Sequence, residues 1–301
     1  MPSCYCNTMS DATDPAAWLE IASGERLPLD ATTSLGRSQT LNRYGFASDK
    51  VSRRHALIHA QDGGEFWLVD LGSTNGTAIN DDRIVGSMRL RDGDRVNLGN
   101  GVDLLFRQPV SAEDRRAQSM QQKTVADSRE EQRWLLIADL ADSSDLSKTM
   151  PATQLALTVG EWLAAATELL GSHGGRINKY MGDGFLAFWR DQPAAPAAVA
   201  AALAGFRDLQ SRALLQFRIV VHRGTVAVGG APTLGEESLL SDDLSFAFRL
   251  EKLAGSLRLP FQLSPAAAQA LTAHLAVIPV PSRHDIKGFP SVEGLATIEA
   301  T

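Results

Sequence analysis

The spacing of apolar residues changes character twice along this chain. From about residue 17 to 108, apolar positions fall in short alternating runs such as Glu65–Asp70 (EFWLVD), Arg83–Leu90 and Arg95–Leu98. Gly, Asp and Asn turns separate them and no helical period is sustained, which predicts an all-β sandwich. Residues 109 to 132 are polar and charged with almost no large apolar side chain, which predicts an exposed helical linker, with disorder as the alternative. From Trp134 onward strands alternate with helices. Pro151–Leu170 carries Leu155, Val159, Trp162, Leu163 and Ala166 at helical spacing, and Gly171–Gly175 ends that helix. Arg176–Arg190 reads as a hairpin with Met181–Gly184 at its tip, Ala194–Ser211 as a helix and Leu244–Gly255 as another. Phe217–Val228 reads as a strand pair turning near Arg223–Gly224, and the end as strand, helix, strand. The chain is therefore expected to be multidomain. A tail (1–16) precedes the β-sandwich (17–108), the linker (109–132) and an α+β unit (133–301).

Length and composition narrow the classes. The 301 residues suffice for about two domains, and 44% hydrophobic content supports packed cores. A net charge of −6 argues against a general nucleic-acid binder. No run approaches the ~20 apolar residues of a membrane span; the Ala-rich stretch 194–206 is short and broken by Pro196. Met1–Asp14 has neither a basic start nor an apolar core, so a secretion signal is not expected. Cys4 and Cys6 are the two cysteines, an isolated pair in the tail that predicts no metal cluster and fits a reducing compartment. A cytoplasmic location is expected.

Two segments carry acids inside apolar runs: Asp139 in WLLIADL and Asp183 in KYMGDGFLAFW. A carboxylate so placed is expensive to hold unless it meets water or a cation. Two brought together suit a hard divalent ion and predict phosphoryl chemistry.

In the N-terminal part, three loops gather donors: Leu35–Arg37, Val51–Ala56 and Leu71–Asn80. Arg37, Arg53 and Arg54 offer guanidinium groups suited to phosphate, and Ser52 and Thr74 offer hydroxyls. Asn75-Gly76 is a turn pair. Loops at one end of a sandwich that collect such donors predict a binding site. Gly36-Arg37, Ser52-Arg-Arg-His55 and Asn75-Gly76, followed by Asp92-Gly-Asp94 and Leu98-Gly99, resemble the forkhead-associated (FHA) domain over about Trp18–Phe106. The resemblance implies phosphothreonine peptide binding, with Arg37 and Ser52 on the phosphate, Arg53 and Thr74 nearby and Asn75 on the ligand backbone. His55 is a scaffold residue in that pattern, and the remaining histidines are read as structural.

The C-terminal part resembles the catalytic domain of class III nucleotidyl cyclases, a ferredoxin-like α+β fold, over about Trp134–Ile298. Ala138–Leu146 is similar to the first metal loop and Lys179–Phe188 to the second. Phe217–Gly229 and Leu244–Glu251 are similar to the later strand pair and helix. The resemblance implies cyclisation of a nucleoside triphosphate with loss of pyrophosphate, using two Mg²⁺ or Mn²⁺ ions. Asp139, Asp183 and the Leu140 carbonyl would hold the ions, and backbone N–H groups of Ala141–Ser144, including Ser143 and Ser144, would cradle phosphate. Arg249 matches the transition-state arginine and Lys287 a terminal-phosphate lysine.

Base choice in that family rests on two positions, here Lys179 and Ser238. Lys179 is adenine-type, because an ammonium can donate to adenine N1 and not to the N1–H of guanine. Ser238 is of the small kind found in guanylyl enzymes. Two departures bear on turnover: Ser245 replaces the usual Asn, and Asp142 replaces a usual Gly. The resemblance also implies a twofold homodimer whose sites draw on both subunits.

The expected function is thus an ATP-using adenylyl cyclase making cyclic AMP, regulated or recruited through its FHA domain. A guanylyl cyclase acting on GTP, and a phosphothreonine-binding adaptor with an inactive cyclase module, are the alternatives. The partners expected are a second copy of the chain, ATP and a phosphothreonine protein. Thr124 in the linker, with Asp127 three residues on, is a candidate internal ligand.

Overall fold

Period-2 alternation builds the N-terminal unit. The computed structural model describes residues 16–29, 32–61, 64–109, 129–141, 146, 150–213, 215–229 and 238–299. Eleven short strands are described before residue 109: β1 (Trp18–Ile21), β2 (Arg26–Pro28), β3 (Thr32–Gly36), β4 (Tyr44–Gly45), β5 (Ala56–Gln61), β6 (Glu65–Asp70), β7 (Thr77–Ile79), β8 (Asp82–Arg83), β9 (Ser87–Leu90), β10 (Arg95–Leu98) and β11 (Val102–Arg107). They form one sheet in the order β2-β1-β11-β10-β7-β8 and a second in the order β4-β3-β5-β6-β9. Leu19, Leu35, Ile58, Phe66, Leu68, Val96 and Phe106 fill the space between them. The strand expected over Arg83–Leu90 is broken, because Gly86 takes φ 71° between β8 and β9.

The C-terminal unit comprises β12 (Arg129–Leu140), α1 (Ala152–Ser172), β13 (Arg176–Met181), β14 (Gly184–Arg190), α2 (Ala195–Arg212), β15 (Phe217–Gly229), β16 (Ser238–Leu240), α3 (Asp242–Leu257), β17 (Phe261–Leu263), α4 (Pro265–Leu271), β18 (Val277–Pro279) and β19 (Ala296–Ile298). The sheet order is β13-β14-β12-β15-β17-β19-β18, with β16 on β15. Apolar stripes of α1, α2 and α4 cover one face, through Trp162, Leu163, Leu203, Phe206 and Leu271. On the other face α3 packs Leu244 and Ala247 against Leu135, Ile137, Leu186 and Val226. Ser241 caps α3, its Oγ accepting from the Leu244 N–H at 2.9 Å, and Asp242 and Asp243 favour its positive end.

Two boundaries differ from the sequence reading. Phe217–Gly229 is one continuous strand, paired to β12 from Arg129↔Val228 through Leu140↔Phe217. Gly224 is not a turn there: a Cβ would stand 2.5 Å from His222 Nε2, so glycine permits a close approach. Its partner strand begins at Arg129, inside the segment assigned to the linker. The polar run there hides a strand because Arg133 is fully buried, its guanidinium 5.4 Å from the Phe188 ring centre and 2.6 Å from Glu131. The remainder of the linker, with Thr124, lies outside the described residues, as do Cys4 and Cys6.

The two units pack against each other. All six positions of β5 are buried, whereas a sandwich strand facing water on one side would alternate. Its odd-numbered residues and Val69 of β6 face the C-terminal unit, where Leu57 and Val69 join the same apolar cluster as Trp162 and Tyr180.

Candidate phosphopeptide and nucleotide sites

The sandwich loops expected to bind phosphate converge. Ser52 Oγ accepts the Thr74 N–H at 3.1 Å and lies 3.4 Å from Thr74 Oγ1. The Arg37 N–H donates to the Ser52 carbonyl at 2.8 Å, placing the exposed Arg37 side chain beside this pair. Asn75 Nδ2 donates to the Lys50 carbonyl at 2.7 Å and ties the two loops together. Arg37, Lys50, Ser52, Arg53, Thr74 and Asn75 line an open groove of about 590 Å³. His55 supports it from below: Nδ1 accepts the Ser52 N–H and Nε2 donates to the Gly76 carbonyl. Burial lowers the His55 pKa, opposed by the charge of Asp70. Asp70 in turn accepts from the Ser73 N–H and from the Ser73 and Thr77 hydroxyls, which fixes the loop carrying Thr74.

The two acids of the C-terminal unit also meet. The β12–β14 pairing runs to Ala138↔Phe185, so Asp139 and Asp183 lie just beyond its last pair, at one end of the sheet. Gly184 makes this possible, because a Cβ there would come within 2.4 Å of the Ala138 carbonyl oxygen. Burial raises the Asp139 pKa; Arg218 opposes the shift and the charge of Asp183 adds to it. Arg218 Nη2 and Nε reach Asp139 Oδ2 and Oδ1 at 2.6 and 3.4 Å, and Nη2 lies 3.8 Å from Glu251. Burial and the neighbouring Asp139 charge raise the Glu251 pKa as well. Arg218 and Glu251 escaped the sequence reading. Arg218 is the cross-strand partner of Asp139, and a lone arginine inside FRIVV was the available signal.

This donor set suits a hard divalent ion: two mutually repelling carboxylates beside the Leu140 backbone, with only 24% of the Asp139 side chain exposed. Among the described residues no group of three or more His, Cys, Asp or Glu is arranged to hold a metal. Asp142, Ser143 and Ser144 lie outside the described residues.

A second cluster forms on α3. Ser245 and Arg249 stand one turn apart on its exposed face, and Ser245 Oγ is turned back to the Ser241 carbonyl at 3.2 Å. Lys179 Nζ lies 5.8 Å from the ring centre of Phe248, between them in sequence. Lys179 thus joins Ser245 and Arg249 on one surface. Ser238 is described by its backbone alone, in β16 opposite Gly229, with three strands between it and β13. Lys287 is exposed on a loop held against α3 by Ile286, which packs with Leu250 and Ala254.

Residues 33–99 match the family model of the FHA domain. The glycogen accumulation regulator GarA of Mycolicibacterium smegmatis is 46% identical over 78 residues, 25% of this chain and 47% of that protein. The transcriptional regulatory protein EmbR of Mycobacterium tuberculosis is 37% identical over 93 residues, 30% of this chain and 24% of that protein. The chain therefore spans about a quarter to a half of the curated relatives it matches. The crystal structure of the adenylyl cyclase CyaB from P. aeruginosa superposes with a TM-score of 0.50 at 19% identity, covering 58% of this chain and 97% of that one. No described helix is long and apolar enough to cross a membrane. The chain is a two-part protein, an FHA domain joined to an α+β domain with the fold of class III nucleotidyl cyclases.

Proposed function

We propose that this chain is a nucleotidyl cyclase that turns ATP into 3′,5′-cyclic AMP and pyrophosphate at a homodimer interface, governed by phosphothreonine binding to its FHA domain. The observation carrying this reading is the convergence of Asp139 and Asp183 at the end of the β12–β14 pairing, within a cyclase fold. Asp139, Asp183 and the Leu140 carbonyl would hold two Mg²⁺ or Mn²⁺ ions, which lower the pKa of the ribose 3′-hydroxyl and neutralise the phosphates. The Arg218 guanidinium, 2.6 Å from Asp139, is within reach of a triphosphate brought there. Lys179 donates to the adenine ring, and Phe248 beneath it orients the ammonium. Arg249 neutralises charge gathering on the α-phosphate in the transition state. Because Arg249 is exposed on α3, it is free to serve the acids of a second copy. Lys287 reaches the terminal phosphate; Ser143 and Ser144, outside the described residues, would add backbone N–H donors to it.

In the FHA domain Arg37, Ser52 and Thr74 take the phosphate, with Arg53 at the groove rim and Asn75 toward the peptide backbone. The protein acts in the cytoplasm.

Ser238 supports GTP as the alternative substrate. The short Ser245, turned to its own helix, supports an adaptor with an inactive cyclase module. Purified full-length protein incubated with Mn²⁺ and either ATP or GTP separates the three. Faster cyclic AMP formation supports the reading, and preference for GTP reassigns the base pocket. Absence of both products with phosphopeptide binding intact leaves the adaptor.

A further inference from the structure

β13 is an edge strand of the catalytic sheet, and its outward carbonyls would ordinarily face water. Two of them, and that of Gly182 in the turn that follows, do not. Asn178 O accepts from His59 Nε2 at 3.2 Å, Tyr180 O from Gln61 Nε2 at 3.1 Å, and Gly182 O from both the Ser87 N–H and Ser87 Oγ at 2.8 Å. The donors all come from the FHA domain. His59, Gln61 and Ser87 are each nearly fully buried, at 4, 6 and 6% exposure, and His59 Nδ1 accepts from Thr32 in turn. The His59 ring also meets Tyr180 edge to face at 5.3 Å. A loose collision of two domains does not pair alternate carbonyls of an edge and its turn with buried donors.

The carbonyls so held flank the chemistry. Lys179 lies between Asn178 and Tyr180, and Asp183 follows Gly182. The FHA loop that bears Thr74 and Asn75 touches the same unit. Gly72 packs against α1, where a Cβ on Gly160 would stand 2.4 Å from the Gly72 nitrogen and one on Gly72 2.6 Å from Glu161. Ser73, bound to Asp70, connects Gly72 to Thr74.

We infer that the FHA domain is a clamp on the catalytic hairpin. His59, Gln61 and Ser87 are positioning residues for Lys179 and Asp183, and the phosphopeptide loop belongs to the same interface through Gly72. What Lys179 and Asp183 do there rests on the cyclase reading; the clamp itself does not. A phosphopeptide that orders the Ser73–Gly76 loop favours the docked arrangement. It therefore steadies the hairpin, and by reciprocity a docked hairpin tightens peptide binding.

Gly160→Ala tests this with opposed expectations. Alanine is the better helix former, so an independent α1 would gain; at the interface the added methyl drives Gly72 away. Amide hydrogen exchange of residues 178–184 is compared in the full chain, its Gly160→Ala variant, and the chain saturated with a phosphothreonine peptide selected from a library. The clamp predicts exchange about fivefold or more faster in Gly160→Ala, slower with peptide, and peptide affinity weakened about fivefold or more by Gly160→Ala. Equal hairpin exchange in parent and variant, with equal peptide affinity, overturns it. If Gly160→Ala does not fold, the pair Gln61→Leu with Ser87→Ala, which removes two side-chain donors, takes its place under the same criteria. None of these readouts uses turnover, so an inactive cyclase domain would sink the proposed function and leave the clamp standing.

Discussion

On the proposed reading Arg37 and Ser52 hold the phosphate of a phosphothreonine peptide, and the cost of losing one is calculable. A charged hydrogen bond contributes about 1.5–3 kcal/mol, so Arg37→Ala should weaken phosphothreonine peptide binding about 10- to 100-fold, measured by calorimetry. The convergence of their loops was legible in the sequence because each loop carries its own turn chemistry. The place of Arg218 was not, since only the β12–β15 register sets it opposite Asp139. His222 offers a test of burial. Its ring is 7% exposed; Nδ1 meets Ser264 Oγ at 2.9 Å and Nε2 lies 3.2 Å from Asp243 Oδ1. Burial holds its pKa below 6.5 although Asp243 pulls it upward. The unfolded chain then binds the proton first, so stability conferred above pH 6.5 is lost as pH falls through the window beneath it. Asp139 and Glu251, raised by burial, slope the opposite way over their own range. The contribution of His222 is therefore read as a difference. The stability of His222→Asn, followed by urea unfolding, should fall less steeply below pH 6.5 than that of the parent; equal slopes would refute it.

At the scale of elements, the placement of Asp139 and Asp183 depends on how closely β14 can approach β12. Gly184→Ala places a methyl within 2.4 Å of the Ala138 carbonyl oxygen, so the hairpin tip must shift. Overpacking of this kind costs about 1–3 kcal/mol. The melting temperature should fall, and the Mn²⁺ concentration for half-maximal turnover should rise. The helices and the β13–β14 hairpin were readable from spacing alone, because a 3.6 period and a glycine-bearing tip are local signals. The continuity of β15 was not, because a mid-strand glycine reads as a turn unless the His222 and Asp243 side chains it admits are known. Nor was the start of β12, whose polar residues pair along a strand only because β15 extends to meet them.

The whole molecule departs most from a pair of beads on a linker. ALIHAQ in β5 has the alternation of an ordinary sandwich strand with His59 and Gln61 outward, so nothing local announces that they and Leu57 are covered by a second domain. The proposed chemistry lives at this scale too, because Asp183 and Arg249 are expected to serve opposite sites of a dimer. Asp183→Asn and Arg249→Ala homodimers should each be nearly inactive, the latter by about 10²–10³-fold in kcat. The most direct measurement is cyclic AMP formation by the two variants mixed and allowed to exchange subunits. In each mixed dimer one site carries both defects and the other neither. An equal mixture should therefore recover about a quarter of the unmodified activity. A mixture that forms mixed dimers yet stays as inactive as its components would contradict the shared-site cyclase.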